Sequence, residues 1–203
     1  LEKIEAIAER DQERATTELV RISPVADALR HRFTEGGDEI ALVGGSVRDA
    51  LLGRLGEDLD FATSARPEQV EELVGDVAEA VWDIGRDFGT IGCRIQGVLC
   101  EITTYRTERY DAGSRKPDVV YGTSLDTDLG RRDFTVNAMA VRLPGTTFVD
   151  PYGGLVDLAR GVLRTPGRPE HSFTDDPLRL MRAARFAAQL GLVAHQDVIT
   201  AMT

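Results

Sequence analysis

Gly44-Gly45-Ser46-Val47-Arg48-Asp49-Ala50-Leu51-Leu52-Gly53, followed shortly by Asp58-Leu59-Asp60-Phe61, is the stretch on which the fold turns. Residues 39–43, just before it, form an apolar run that reads as a short strand. Gly44-Gly45 break that strand, residues 46–52 read as a helical turn ended by Gly53, and residues 58–63 read as a second strand. Side chains two apart on a strand point to one face, so Asp58 and Asp60 project together while Leu59 and Phe61 face a core. Two carboxylates held that close repel unless a cation lies between them. Mg2+ suits the pair, because it takes a few carboxylates together with phosphate oxygens and water. A glycine pair at a strand-to-helix turn lets backbone N–H groups approach a phosphate, and Arg48, one turn into the helix, adds a charge-assisted contact. The pattern describes a site for a triphosphate and its metal. It is neither the GxGxxG fingerprint nor a P-loop, since no Gly-Lys-Ser/Thr follows. Alone, a Gly-Gly is more often a plain turn and an Asp-x-Asp more often surface charge; their combination around Arg48 favours the site.

Outward from this centre, Ser23-Pro24 predicts an N-cap and a Pro at the first helical position, opening a helix to about Phe33 that stops at Gly36-Gly37. Residues 1–21 predict a polar helical extension. Residues 67–80 predict an amphipathic helix. Residues 90–95 and 98–105 alternate like strands joined as a hairpin at Gln96-Gly97. Residues 107–130, rich in Asp, Gly, Ser and Thr, read as a long connection of the kind that is often mobile and functional. Residues 132–137 predict a turn or short helix, residues 139–142 and 146–149 a hairpin around Pro144-Gly145, and residues 175–189 a helix ended by Gly191. A further helix starts at about His195. Strands first and helices last predict an α+β domain over residues 22–167, then the start of a helical one over 168–203.

The bulk composition bounds the function. The 203 residues are 42% hydrophobic and 29% charged, ordinary for a soluble domain with a proper core. No apolar run is long enough for a transmembrane helix, and residues 1–13 lack the apolar segment of a signal peptide. Cys93 and Cys100 lie in strand-like segments with no zinc-type cluster, which points to a reduced, cytoplasmic setting. The net charge of −10 runs against the basic surface usual in nucleic-acid binders. Metal-binding carboxylates account for part of it, and basic RNA-binding surface on other parts of a longer protein would account for more.

Gly-Gly-x-Val-Arg-Asp-x-Leu-Leu-Gly followed by Asp-x-Asp resembles the first motif of the class II tRNA nucleotidyltransferases and bacterial poly(A) polymerases, members of the polymerase β-like nucleotidyltransferase superfamily. The resemblance spans about residues 22–190. It implies an α+β fold: a polymerase β-like nucleotidyltransferase head with a mixed sheet and flanking helices, followed by an all-helical neck, with helical body and tail domains beyond Thr203. It implies an Mg2+-dependent enzyme, with two ions on Asp58 and Asp60, that adds CMP and AMP from CTP and ATP to the tRNA 3′ end without a template.

Later motifs follow in the family's order. Arg131-Arg132-Asp133-Phe134-Thr135-Val136-Asn137-Ala138 resembles the second motif, which implies that Arg132 contacts the triphosphate and Asp133 lies near the ribose; equally, Asp133 and Asn137 are residue types that cap a short helix. Asp150-Pro151-Tyr152-Gly153-Gly154 resembles the stretch between head and neck, either a hinge or a plain turn. Asp175-Asp176-Pro177-Leu178-Arg179 resembles the base-reading motif Glu-Asp-x-x-Arg at the start of the neck helix, with Asp175 where the family has Glu. Asp176 and Arg179, three apart, share a helix face. Cytosine and adenine each present an amino donor beside an acceptor nitrogen, which Asp176 and Arg179 complement; uracil and guanine present the reverse. Arg182 and Arg185 continue an Arg-x-x-Arg-Phe pattern, as nucleotide contacts or as solvated residues. Glu101 fits the third acidic position of the superfamily, as a base for the primer hydroxyl or a further metal ligand, or else as a strand-edge carboxylate.

Gly85-Arg86-Asp87-Phe88-Gly89-Thr90 resembles the CCA-adding form, whereas poly(A) polymerases tend to carry Arg-Arg-Phe near this position. Residues 107–130 resemble the flexible loop of enzymes that add the final A, which argues against a CC-only specialist. The reading from another class is a non-catalytic NTP- or RNA-binding module.

Overall fold

In the computed structural model, residues 18, 22–109, 118–122, 124–143 and 147–203 are described. Helix α1 (Ser23–Gly36) leads into β1 (Ile40–Val43), α2 (Gly45–Leu51) and β2 (Asp58–Thr63). Next come α3 (Pro67–Gly75), β3 (Ala80–Gly85), β4 (Thr90–Ile95) and β5 (Val98–Thr104). The hairpin β6 (Arg106–Arg109) and β7 (Asp118–Tyr121) precedes α4 (Leu125–Gly130), a 3-10 turn (Thr135–Asn137), β8 (Ala140–Leu143) and β9 (Thr147–Val149). The remainder is α5 (Gly154–Arg160), β10 (Val162–Leu163), α6 (Pro169–Asp175), α7 (Leu178–Leu190), β11 (Val193–Ala194) and α8 (Gln196–Ala201).

One seven-stranded sheet runs β3-β4-β5-β2-β1-β8-β9. It is mixed, as expected: β2 and β5 are parallel and the other neighbours antiparallel. Alternation sorts its faces. Leu59 and Phe61 of β2, Cys100 and Ile102 of β5, and Ile91, Cys93 and Ile95 of β4 form one buried cluster with Leu29 and Phe33 of α1 and Val70 and Val74 of α3. Burying each large apolar side chain contributes roughly 1.5–3 kcal/mol, so this face anchors the sheet. On the opposite face a smaller cluster of Ala41, Val43, Ala62 and Ala140 packs under Leu125 and Leu129 of α4. Asp58, Asp60 and Glu101 stand on that second face, as the Asp-x-Asp spacing requires. The β4–β5 hairpin turns at Gln96 (φ 51°) and Gly97 (φ 80°), both in the left-handed region that a two-residue turn demands.

Several elements differ from expectation. Ser23 is the first helical residue of α1 rather than its N-cap; Ile22 holds the cap position without a side-chain bond. Helix α3 ends at Gly75, short of the expected residue 80; Val77 and Ala78 close it by donating to the Val74 carbonyl, and residues 80–85 form the edge strand β3 paired with β4. The long connection carries the β6–β7 hairpin and α4, which Ser124 caps by accepting from the Thr127 N–H. The helix expected from Asp175 is two helices, because Pro177 lacks the N–H that continuation needs. Helix α5 carried no strong sequence signal; left-handed glycines, Gly153 and Gly161, bound it. A two-residue parallel pair, β10–β11, ties residues 162–163 to 193–194. The expected N-terminal extension, apart from Glu18, lies outside the described residues, as do the turn at 144–146 and residues 110–117.

Candidate active site

A cleft of about 820 Å³ opens where the second face of the sheet meets α2, α7 and the segment that follows α4. Gly45, Arg48, Asp60, Glu101, Arg132, Asp133, Asn137, Asp176, Arg179, Arg182 and Arg185 line it. Residues more than a hundred positions apart in sequence thus converge on one space. Asp58 stands at the exposed start of β2, and Gly44 sits behind the turn; neither lines the cleft.

The acidic wall is built by register. In the parallel pair β2–β5, Asp60 and Glu101 are partners, so their side chains stand abreast. Asp58 lies two residues earlier on the same face. The Ser46 hydroxyl accepts from the Asp60 backbone N–H at 2.8 Å and fixes the strand against α2. Burial pushes the Asp60 carboxyl above its ordinary range; Glu101 and Asp58 add to the rise, while Arg132 and Arg48 oppose it. Among the described residues, no hydrogen bond or ion pair engages the carboxylates of Asp58, Asp60 or Glu101.

The basic wall is tied together. Arg48 is nearly buried; it donates to Asp49 at 3.0 and 2.8 Å and to Asn137 Oδ1 at 2.5 Å. Asn137 Nδ2 donates to Asp133 Oδ1 at 2.9 Å, which also accepts from the Phe134 N–H. Arg182 grips Asp133 Oδ2 with Nε at 2.7 Å and Nη2 at 2.6 Å. Asp133 therefore does not cap the 3-10 turn, whose cap position Phe134 holds; it joins Asn137 of the head to Arg182 of α7. Arg179, buried, donates to Ser172 Oγ at 2.8 Å and to the Arg131 carbonyl at 2.7 Å. Asp176 sits outside the helix, accepting from the Leu178 N–H at 3.0 Å, with its other oxygen 3.8 Å from Arg179 Nε. The two are neighbours, as their spacing implies, but across the α6–α7 corner and not on one helix face. Arg48, Arg182 and Arg185 surround the Phe186 ring at 5.3, 5.2 and 4.9 Å from its centroid.

Gly44 serves the site differently from the expectation. Its N–H donates to the Met139 carbonyl at 3.1 Å and so is not offered to a phosphate. Its positive φ and missing side chain instead admit Arg132, whose Nη1 would lie 2.5 Å from a Cβ placed there. Arg132 Nε is buried without a hydrogen-bond partner.

Sequence reading missed Asp128. It is fully buried and accepts from Arg131 at 3.0 and 2.9 Å, from Arg132 at 3.1 Å and from the Arg106 N–H at 3.3 Å. Burial alone would raise its carboxyl, but Arg131 and Arg132 outweigh that and hold it below the ordinary range. The available signal was its spacing of three and four from two arginines that follow the helix end. Ser172 and Phe186 were also missed as site residues; their positions become functional only once α6 and α7 pack together.

Residues 40–164 match the family model of the Poly A polymerase head domain. The chain is 42% identical to the CCA-adding enzyme of Leuconostoc mesenteroides over 178 residues, covering 87% of this chain and 43% of that protein. It is similar in structure to the Bacillus stearothermophilus CCA-adding enzyme in complex with CTP, with a TM-score of 0.77 and 38% identity over 89% of this chain and 42% of the other. The Thermotoga maritima CCA-adding enzyme complexed with tRNA-CCA gives a TM-score of 0.72 and 28% identity over 90% of this chain and 41% of the other. The chain thus spans less than half the length of these relatives.

Proposed function

We infer the function from one premise: the chain belongs to the poly(A) polymerase head-domain family, the polymerase β-like nucleotidyltransferases that include the CCA-adding enzymes. Its reaction is template-independent transfer of CMP and AMP from CTP and ATP to the 3′ end of tRNA. The observation that carries this reading is the pairing, in one cleft, of an acidic row with a fixed arginine wall. The 3′-hydroxyl of the RNA attacks the α-phosphate of the nucleotide; the new P–O bond forms as the bond to the β-phosphate breaks, and pyrophosphate leaves. Glu101, exposed beside Asp60, accepts the hydroxyl proton. Arg132, with Nε unpartnered and Nη1 over Gly44, binds the triphosphate. Asp133, by holding Asn137 and Arg182, orients the wall against which the ribose lies. Asp176 and Arg179 read the base: an amino donor facing Asp176 and a ring acceptor facing Arg179 admit C and A. Each mismatched buried polar group costs about 1–3 kcal/mol, so the two together reject U and G.

Family members use divalent cations, and the donor set here fits Mg2+. Asp58 and Asp60 are the residues that would hold it. Among the described residues, no group of three acidic, His or Cys side chains is placed to hold a cation unaided. Mg2+ takes few carboxylates and fills the rest of its shell with phosphate oxygens and water. The raised Asp60 carboxyl is what a nearby divalent charge would offset. When bound in the two-ion form of this chemistry, Mg2+ would activate the hydroxyl and neutralise the leaving phosphates.

The test is extension of a tRNA ending before CCA by the protein containing this chain, with Mg2+, CTP and ATP and products resolved at single-nucleotide length. Three added nucleotides ending in CCA, absent with Asp58→Ala, are expected. A long A-ladder would reassign the reaction to poly(A) synthesis, two added C residues to a CC-specialist, and no extension by folded protein to a binding module.

A further inference from the structure

A single row of register partners crosses the sheet. Trp82 on β3 stands opposite Gly92 on β4, Gly92 opposite Glu101 on β5, and Glu101 beside Asp60 on β2. Register partners project to one face, so Trp82 shares the face of the carboxylates. Gly92 offers no side chain, and the indole fills its place: a Cβ there would collide with Nε1 and Cε2 of Trp82. The ring therefore lies inward across β4 toward Glu101, not outward over the sheet edge. The β3–β4 register shifts immediately after Trp82, the kind of irregularity that re-aims side chains beside active sites. Trp82 is half-buried, so part of it remains open to solvent on the face that carries Asp60 and Glu101. With strands about 4.8 Å apart, β3 runs roughly 10 Å from the β5 strand of Glu101 and roughly 14 Å from the β2 strand of Asp60. Arg48 and Arg132 reach the cleft from the other side of that row, where β1 and β8 lie. The triphosphate belongs on their side, which leaves the side of Glu101 and Trp82 to the nucleotide whose hydroxyl attacks.

We propose that Trp82, laid over Gly92, is a stacking platform for the 3′-terminal base of the RNA substrate. This rests on the transfer reaction inferred above and names how its RNA end is held. The chemistry suits the task. The end changes identity with every nucleotide added, and stacking tolerates such change because every base presents a π-face, whereas hydrogen-bond readout would not. An aromatic ring covering an edge glycine also stabilises a sheet on its own account, and a role confined to that would leave RNA binding untouched.

Trp82 is the one tryptophan among these 203 residues, and a change in emission that is lost in Trp82→Leu reports on this ring. A tRNA acceptor minihelix with a single-stranded 3′ end, titrated without nucleotide, is expected to quench it. In steady-state extension assays, Trp82→Leu, which keeps apolar cover over Gly92, is expected to raise KM for the RNA about tenfold. KM for CTP and the thermal midpoint should stay near the wild-type values, and Trp82→Phe should restore most of the RNA affinity. Normal RNA KM in an active Trp82→Leu protein would overturn the platform and leave the transfer reaction standing. Quenching without any transfer by the wild type would overturn the reaction and retain the RNA contact. Neither quenching nor transfer would overturn both.

Discussion

The two walls of the cleft are built on opposite principles. On the basic wall each key arginine is held by an acidic, amide, hydroxyl or carbonyl partner: Arg48 by Asp49 and Asn137, Arg132 by Asp128, Arg182 by Asp133, Arg179 by Ser172. On the acidic wall the carboxylates of Asp58, Asp60 and Glu101 engage no described side chain, and Asp60 is pushed toward its neutral form. A preorganised cation array costs nothing to rearrange when a phosphate arrives. Carboxylates crowded together without described partners are poised for a cation. One wall is finished by the fold and the other by ligands, so mutations on the two should separate stability from activity.

The sharpest test of that contrast is Asp60→Asn. Extension should fall by about 10²–10³-fold, as for loss of a principal electrostatic element, while thermal stability without divalent cation stays level or rises. The sign follows from the shift: with its folded pKa raised, Asp60 favours the native state below the unfolded pKa and disfavours it once ionised. A large loss of stability in this variant would place Asp60 among the fold's supports and erase the distinction between the walls.

Asp128→Ala should do the reverse. It leaves Arg131 and Arg132 in a buried setting without their carboxylate, a defect of about 3–5 kcal/mol in denaturant unfolding. The pH dependence sharpens it. The folded pKa of Asp128 lies below 3.8, so its stabilisation is present above that value and is lost as pH falls through the folded pKa. Unfolding measured from pH 5 down to pH 2 should show a stability loss in the wild type, falling mainly below pH 3.8, that Asp128→Asn lacks. Identical acid limbs would remove Asp128 as the anchor.

Arg179→Ala should relax base choice more than it weakens triphosphate binding. Discrimination against UTP, read as a ratio of kcat/KM values, should drop about tenfold or more. Unchanged selectivity would take base reading away from this residue. The smallest expected effect is on stability with metal: Mg2+ at saturating concentration should raise Tm by about 2–4 °C in the wild type, equivalent to about 1 kcal/mol, and not in Asp60→Asn. An equal rise in both proteins would locate the ion elsewhere.

How much was legible depended on the range of the interactions. The Asp-x-Asp strand, the Gln96-Gly97 hairpin and the Gly191 stop are local, set by period two, by φ > 0 and by a helix C-cap, and all three are present. Strand β3 begins where the expected helix over residues 67–80 was to end, and residues 81–85 carried no reading of their own; pairing with β4 is what makes them a strand. Asp133 read locally as a cap or a ribose contact, but its partners Asn137 and Arg182 lie four and forty-nine residues away, and the second is the one that matters.

By itself the sequence determined the family, the carboxylate pair, the order of the motifs and the mixed α+β fold, because these rest on residue identity and short spacing. Only the tertiary structure decided that Glu101 stands abreast of Asp60, that Asp128 is the buried anchor of two arginines, and that Trp82 lies across Gly92 on the carboxylate face. Those facts depend on strand register and helix packing between segments far apart in the chain, where the free energy of burial and pairing, not local preference, selects the neighbour.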